Sequence, residues 1–207
     1  MKRSVLLILL LGSLVLNAGF VIRSWRAQTV ISVPDGDSLQ LRDGRRVRLL
    51  GIDAPEKGRC MANQAREFLS SVAKNKHVRL KDTVTDDYGR VLAIVFAGRT
   101  NINREMLAGG LARYTGSATG EYAETLKAAN TGAKEKKLGI YSPECRSDTP
   151  SDDCRIKGNI REGKPVYYLP TCKYYDQVIV DEAFGDQWFC STAEAQKAGF
   201  APAQSCQ

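Results

Sequence analysis

The sequence contains a single histidine, His77, among 207 residues. That scarcity leaves no Ser-His-Asp pattern and excludes a multi-histidine metal site and a paired-histidine phosphodiesterase. No C-x₂-C knuckle occurs either. The last four cysteines, Cys154, Cys172, Cys190 and Cys206, are spaced by 17, 17 and 15 residues, which is weak grammar for zinc. Acidic residues are missing from positions 1–27, where Lys2, Arg3, Arg23 and Arg26 stand alone. A hydrolase built from this chain must therefore use carboxylates, arginines, tyrosines or a metal held by oxygen.

The residues present are 43% hydrophobic and 26% charged, the composition of a globular chain. The length fits one ordinary domain plus a small module. The formal net charge of +7 is unevenly spread. Positions 28–150 carry 20 basic and 15 acidic residues, whereas positions 151–207 carry 6 and 8. The middle region is the candidate for binding a polyanion, and a solvated basic face is the plainer alternative.

The basic start is followed by an apolar run from Val5 to Ile22, interrupted by Gly12, Ser13, Asn17 and Gly19. This is export-signal grammar. The run of 18 residues is long for a signal core and just long enough to span a bilayer. Leu16-Asn17-Ala18 is a poor cleavage site, and no cysteine closes the run for a lipid anchor. Positions 1–27 are read as a signal anchor, with a cleaved signal peptide as the alternative. The remainder is expected outside the cytoplasmic membrane, either held on its periplasmic or extracellular face or secreted.

Six cysteines, Cys60 and Cys145 with the four of the tail, agree with that address, because an even count in an exported chain favours disulfides. Six cysteines allow fifteen pairings. The expectation is Cys60 with Cys145 and the tail cysteines among themselves.

Two folded units are legible after position 27. In 28–146, Thr29–Val33, Leu39–Leu41, Arg46–Ile52, His77–Leu80 and Val91–Phe96 read as strands, and Leu111–Tyr114 as a short last one. Asp43-Gly44 is a hairpin turn. Ala65, Phe68, Leu69 and Val72 form a helical stripe within Ala62–Ala73, and Asn103–Gly109 and Tyr122–Lys137 also read as helices. Short strands with an inserted helix predict an α+β fold, a small closed barrel with helices packed on it. Positions 147–153 are a polar linker. Positions 154–207 form a small Cys-containing module with strands at Pro165–Leu169, Val178–Val180 and Gln187–Phe189. There Ser191 and Glu194 resemble a capping box. Its core is expected from Trp188, Phe189, Tyr174 and Tyr175.

Three short motifs carry the chemistry. Asp35-Gly-Asp37-Ser enters a strand, Arg48-Leu-Leu-Gly-Ile-Asp53-Ala54-Pro-Glu56 leaves one, and Asp86-Asp-Tyr88-Gly-Arg90 is a hairpin turn. Each alone is an ordinary turn. Together they supply what phosphodiester hydrolysis needs. Two carboxylates and nearby carbonyls can hold a hard divalent cation. A third carboxylate can position or deprotonate water. Two arginines can clamp phosphate oxygens, and the planar guanidinium grips two at once.

From about 29 to 146 the chain resembles the thermonuclease family, the staphylococcal nuclease-like secreted nucleases. The resemblance rests on V-P-D-G-D-S, R-L-L-G-I-D-A-P-E, T-D-D-Y-G-R, G-L-A and K-E-K-K-L-G-I-Y, in order. It implies an OB-type five-stranded β-barrel with packed helices and calcium-dependent cleavage of DNA and RNA. By position it implies Ca²⁺ ligands at Asp37 and Asp53 with the carbonyl of Ala54. It further implies a water-handling Glu56, phosphate clamps at Arg48 and Arg90, and a terminal-phosphate contact at Tyr88. Tyr114 and Tyr122 are the candidates for stacking on a base, which is sequence-tolerant. Ala54 stands where the best-known member has threonine, but a carbonyl ligand survives that change. Asp87 replaces a phosphate-holding lysine, and the loop 57–63 is shorter and carries Cys60.

Cys154-Arg-Ile-Lys-Gly-Asn-Ile, Tyr167-Tyr-Leu-Pro and Gln187-Trp-Phe-Cys190 resemble a small module found behind such nucleases, sometimes called a sunset domain. No catalytic residue is assigned to it. The functional expectation is an exported, monomeric, sugar-non-specific endo- or exonuclease with no obligate protein partner, touching the membrane through positions 1–27 if these are uncleaved. A non-catalytic single-stranded nucleic-acid-binding barrel and an envelope structural protein are the alternatives.

Overall fold

The computed structural model describes residues 28–150, 153–161 and 163–206. The expected signal anchor at 1–27 lies outside the described residues. Among the described residues no helix is long and apolar enough to cross a membrane.

The nuclease-like unit begins with β1 (Val30–Ser32), β2 (Ser38–Leu41), β3 (Arg46–Leu49) and β4 (Ile52–Asp53). Helix α1 (Ala62–Ala73) follows, then β5 (Val78–Thr85), β6 (Val91–Ala97) and β7 (Thr100–Asn101). Helix α2 (Ile102–Ala108), β8 (Arg113–Tyr114) and α3 (Gly120–Glu135) complete it. The main sheet has six strands in the order β1-β2-β3-β6-β5, with β7 on β6. Its first and last members also touch. Val30 N–H donates to the Lys76 carbonyl at 3.0 Å and Val78 N–H to the Gln28 carbonyl at 3.0 Å.

Helix α1 has the predicted bounds, and it buries Ala62, Ala65, Leu69 and Ala73. The predicted strand Arg46–Ile52 is instead two strands. Gly51 sits at φ +80°, and a Cβ there would lie 2.9 Å from the Ala118 side chain. The chain turns at this residue, and β4 leaves the main sheet to pair with β8. Strand β5 runs past Leu80 to Thr85 through residues exposed on both faces, so no alternating pattern announces it. Asn103, fully buried, joins these parts. Its Nδ2 donates to the carbonyls of Leu50 at 2.8 Å and Ala93 at 3.1 Å, and its Oδ1 accepts from Val95 N–H. The core beneath is aliphatic, built on Leu39, Leu41, Leu49, Leu69, Ile94, Ile102, Leu107 and Leu126.

The second unit opens with β9 (Arg146–Ser147) and continues through β10 (Ile156–Arg161), β11 (Lys164–Tyr168) and β12 (Val180–Asp181). It closes with β13 (Gln187–Phe189), α4 (Thr192–Lys197) and β14 (Ala201–Pro202). Its sheet order is β13-β10-β11-β14. The central strand β10 is absent from the sequence reading because its text is polar. Lys157 is nonetheless 1% exposed, its Nζ donating to the carbonyls of Tyr175 at 3.2 Å and Val178 at 2.8 Å. Of the expected core residues only Phe189 is fully buried. Ile156, Tyr167, Phe189, Ala195 and Phe200 fill the core, while Tyr174 is exposed and Tyr175 and Trp188 are half-buried. Ser191 caps α4 by accepting from Glu194 N–H, and the Glu194 carboxylate accepts from Cys190 N–H.

All six cysteines are paired, as Cys60–Cys145, Cys154–Cys190 and Cys172–Cys206, which removes zinc from the tail. The two units meet through paired backbone. Strand β9 is antiparallel to β12, so the stretch read as a linker begins inside a strand. Ala183, 1% exposed, packs with Ala133, Ile140 and Tyr141 of the first unit.

Candidate active site

The turn between β1 and β2 starts the site. Asp37 N–H donates to Asp35 Oδ1 at 3.1 Å, an Asx-type turn that turns the Asp37 side chain inward. Gly36 permits the close approach. A Cβ there would stand 2.7 Å from Ala54 Cβ and 2.8 Å from Ala65 Cβ. The Asp37 carboxylate is thereby pressed beside the strand exit, where its Oδ2 accepts from Ala54 N–H at 3.2 Å. Asp37 is only 3% exposed.

Arg48, on β3 opposite Ser38, meets that carboxylate with both terminal nitrogens. Nη1 donates to Asp37 Oδ1 at 2.9 Å and Nη2 lies 2.8 Å from Oδ2. The same Nη2 donates to Asp53 Oδ1 at 2.8 Å. The turn at Gly51 makes this possible, since it folds Asp53 back toward the strand it has just left. Burial pushes the Asp37 carboxyl up to about 7, against the lowering effects of Arg48 and the Ala54 N–H.

Arg113 completes the row. It stands directly across from Asp53 in the β4/β8 pair and donates to Asp53 Oδ2 from Nη2 at 2.8 Å and Nε at 3.1 Å. Sequence reasoning missed it. A lone arginine in a short strand carries no signal until its pairing with Asp53 is known. On its far side the Arg113 guanidinium lies 3.7 Å from the ring centroid of Phe184, in the second unit.

The other candidates surround this row. Glu56 is exposed on the loop that leads through Arg59 to the Cys60–Cys145 disulfide. Arg90 precedes β6, whose Leu92 pairs in parallel with Arg48. Arg90 thus stands at the entry of the strand that lies beside β3. Arg90 is engaged with Asp86, with Nε at 2.8 Å and Nη2 at 2.7 Å from Oδ2. Desolvation raises the Asp86 carboxyl, but donors from Arg90 and Tyr88 outweigh it and hold it below its ordinary value. Tyr88 is 84% exposed at the hairpin tip, its ring 5.2 Å from Arg90. Tyr114 and Tyr122 are both half-buried against the core, Tyr114 beside Ile52 in register and Tyr122 edge-on to Phe96 at 6.0 Å.

Among the described residues no group of three or more His, Cys, Asp or Glu side chains is placed to hold a metal ion. Two carboxylates, Asp37 and Asp53, do converge on one nitrogen, with the Ala54 backbone beside them. The two carboxylates are hard oxygen donors, which fit a hard cation.

Comparison with known proteins gives the family. Residues 46–143 match the family described as staphylococcal nuclease homologue. Micrococcal nuclease of Shigella flexneri is 33% identical over 132 residues, covering 55% of this chain and 72% of that protein. The chain belongs to the staphylococcal nuclease homologue family. An uncharacterized endonuclease of Haemophilus influenzae is 40% identical over 87 residues, which are 40% of this chain and 49% of that protein. An uncharacterized endonuclease of Escherichia coli is 31% identical over 117 residues, covering 75% of its length. The chain thus spans about half of the Haemophilus relative and about three quarters of the other two. The family is one of nuclease hydrolases with an OB fold, and the matched segment contains Arg48, Asp53, Glu56, Arg90 and Arg113, with Asp37 just before it.

Proposed function

We propose that this protein is an exported, calcium-dependent nuclease that hydrolyses phosphodiester bonds of DNA and RNA with little sequence preference. The observation that carries the reading is the meeting of Asp37 and Asp53 on Arg48. The family membership and the names of the relatives support the reaction class.

Asp37, Asp53 and the Ala54 carbonyl would hold the calcium ion, which when bound supplies Lewis-acid polarisation of a phosphate oxygen. The remaining work belongs to side chains. Arg48 and Arg90 neutralise the phosphate as charge develops on its oxygens, each presenting two parallel donors. For Arg90 this requires exchanging Asp86 for phosphate, and for Arg48 exchanging Asp37 or Asp53. Glu56, exposed on its loop, orients the attacking water and accepts its proton. Tyr88 stands beside Arg90 to meet a terminal phosphate, and Tyr114 or Tyr122 is the candidate to stack on the base.

We read the nuclease unit as a five-stranded barrel, a reading supported by the hydrogen bonds from Val30 to Lys76 and from Val78 to Gln28. Export is inferred from the basic and apolar character of positions 1–27, and three disulfides support an oxidising compartment. The same segment would be the contact with the membrane, and the catalytic unit would act as a monomer.

The test is cleavage of supercoiled plasmid and of RNA by the oxidised protein, with calcium and with excess chelator. Calcium-dependent degradation of both is the expected result. Binding of single strands without cleavage would leave the non-catalytic module as the function.

A further inference from the structure

The second unit has no catalytic candidate, yet its Phe184 reaches the proposed site. Phe184 lies at the end of the short 3₁₀ turn Glu182–Phe184 and places its ring 3.7 Å from the Arg113 guanidinium carbon. Arg113 in turn spends two donors on Asp53 Oδ2. Asp53 is therefore held from both sides, by Arg48 on Oδ1 and by Arg113 on Oδ2.

The loop that presents Phe184 is built rigidly. Asp186, 5% exposed, accepts from Ile160 N–H at 2.8 Å, Asn159 Nδ2 at 2.7 Å and Asp181 N–H at 3.1 Å. Gly185 turns the chain at φ +102°. Glu182 N–H donates to the Cys145 carbonyl at 2.9 Å, and Ala183 is buried against Tyr141 and Ile140. The loop is thus docked on the nuclease unit on one side and tied to β10 on the other. Between these anchors only one ring is aimed at the Asp53 row.

We infer that Phe184 is a positioning residue of the nuclease site, through which the second unit holds Arg113 on Asp53 and so fixes the orientation of that carboxylate. The inference rests on the nuclease reading for its catalytic consequence, but the contact itself can be tested without catalysis. A guanidinium stacked on a ring keeps its plane and its N–H directions, whereas an exposed one rotates freely. Arg113 is about half exposed, with 49% of its side chain accessible, so without the ring one face of its guanidinium is open to water.

The experiment uses the full chain with its disulfides formed, as wild type, Phe184→Leu, Phe184→Tyr, Arg113→Ala and Arg113→Ala/Phe184→Leu. Leucine keeps an apolar contact and removes the ring, and tyrosine keeps the ring. The first readout is the Arg113 Nε–H resonance in ¹⁵N-labelled protein, assigned by its loss in Arg113→Ala. It is expected to be ring-shifted and protected from solvent exchange in wild type and Phe184→Tyr, and neither in Phe184→Leu. The second is plasmid cleavage. Phe184→Leu is expected to lower kcat about tenfold with little change in KM, and Phe184→Tyr to restore it. In the Arg113→Ala background, Phe184→Leu should cost nothing further, because the coupling partner is gone.

An unshifted, fast-exchanging Nε–H in wild type would overturn the inference, and so would equal losses from Phe184→Leu in both backgrounds. If the wild type cleaves nothing, the nuclease reading fails and the resonance still decides whether Phe184 orders Arg113.

Discussion

Arg48 holds Asp37 through both terminal nitrogens, at 2.9 Å and 2.8 Å, and the carboxylate it holds is almost wholly buried. A lysine at this position keeps the charge but presents a single point, so it cannot serve both oxygens and also reach Asp53. Arg48→Lys is expected to lower turnover by about two to three orders of magnitude. Arg90→Lys should do the same, since its guanidinium is the proposed second phosphate fork. Circular dichroism should show both variants folded. Near-native cleavage by both would remove the clamp assignment.

The Asp37 carboxyl also makes stability depend on pH. Its ordinary value is 3.8 and burial raises it to about 7 in the folded chain. The folded state then binds the proton more tightly than the unfolded state. The stability this confers is complete below about pH 4 and is lost as the pH rises through about 7. A one-unit difference in pKa between the two states is worth about 1.4 kcal/mol, enough to read in a thermal melt. In metal-free protein the melting temperature of wild type should fall relative to Asp37→Asn between about pH 4 and 7. Parallel curves would mean that Asp37 ionises at its ordinary value.

Local features of this fold could be read in the chain, and long-range ones could not. Helix α1 announces itself because Ala65, Leu69 and their neighbours repeat at helical spacing and are in fact buried. The Asp37, Arg48 and Asp53 set could be named because each lies in a short motif. How the set is assembled was hidden. R-V-R-L-L-G-I reads as one strand, and only the packing of Ala118 and Leu126 against Gly51 shows why the chain must turn there. Arg113 was hidden for the same reason, since its partner is 60 residues away. Strand β10 was hidden by Lys157, whose charge suggests solvent although backbone carbonyls and the Tyr175 ring receive it.

The Cys60–Cys145 bridge ties the Glu56 loop to the end of the nuclease unit across 85 residues of chain. A loop of that size gives a disulfide stabilisation of about 4.6 kcal/mol in the chain-entropy account. The double variant Cys60→Ala/Cys145→Ala is expected to lose about 2–5 kcal/mol in denaturant unfolding. Its turnover should fall as well, because the segment that carries Glu56 is freed. Peptide mapping of the unreduced wild type should return the three pairs Cys60–Cys145, Cys154–Cys190 and Cys172–Cys206. Stability unchanged by the double substitution would mean that the loop is held by other contacts.

Glu56 and Asp37 should separate metal holding from proton handling. Asp37 is buried and shares Arg48 with Asp53, so its loss removes half of the proposed cation-binding charge. Glu56 is exposed on a loop and has no part in that row. Asp37→Ala should therefore abolish calcium binding and cleavage together. Glu56→Gln should keep calcium and nucleotide binding, slow the chemical step, and flatten the rise of rate with pH, because an amide cannot accept the proton of water. Magnesium should substitute poorly, since it demands near-octahedral geometry that two turn carboxylates and a carbonyl do not impose. Calorimetric calcium titrations with a nucleotide inhibitor present, run beside turnover for wild type and both variants, read these effects separately. Wild-type turnover in Asp37→Ala, or full activity in excess chelator, would refute the metal assignment. A Glu56→Gln variant with an unchanged pH profile would confine Glu56 to orienting water and assign the proton to another acceptor.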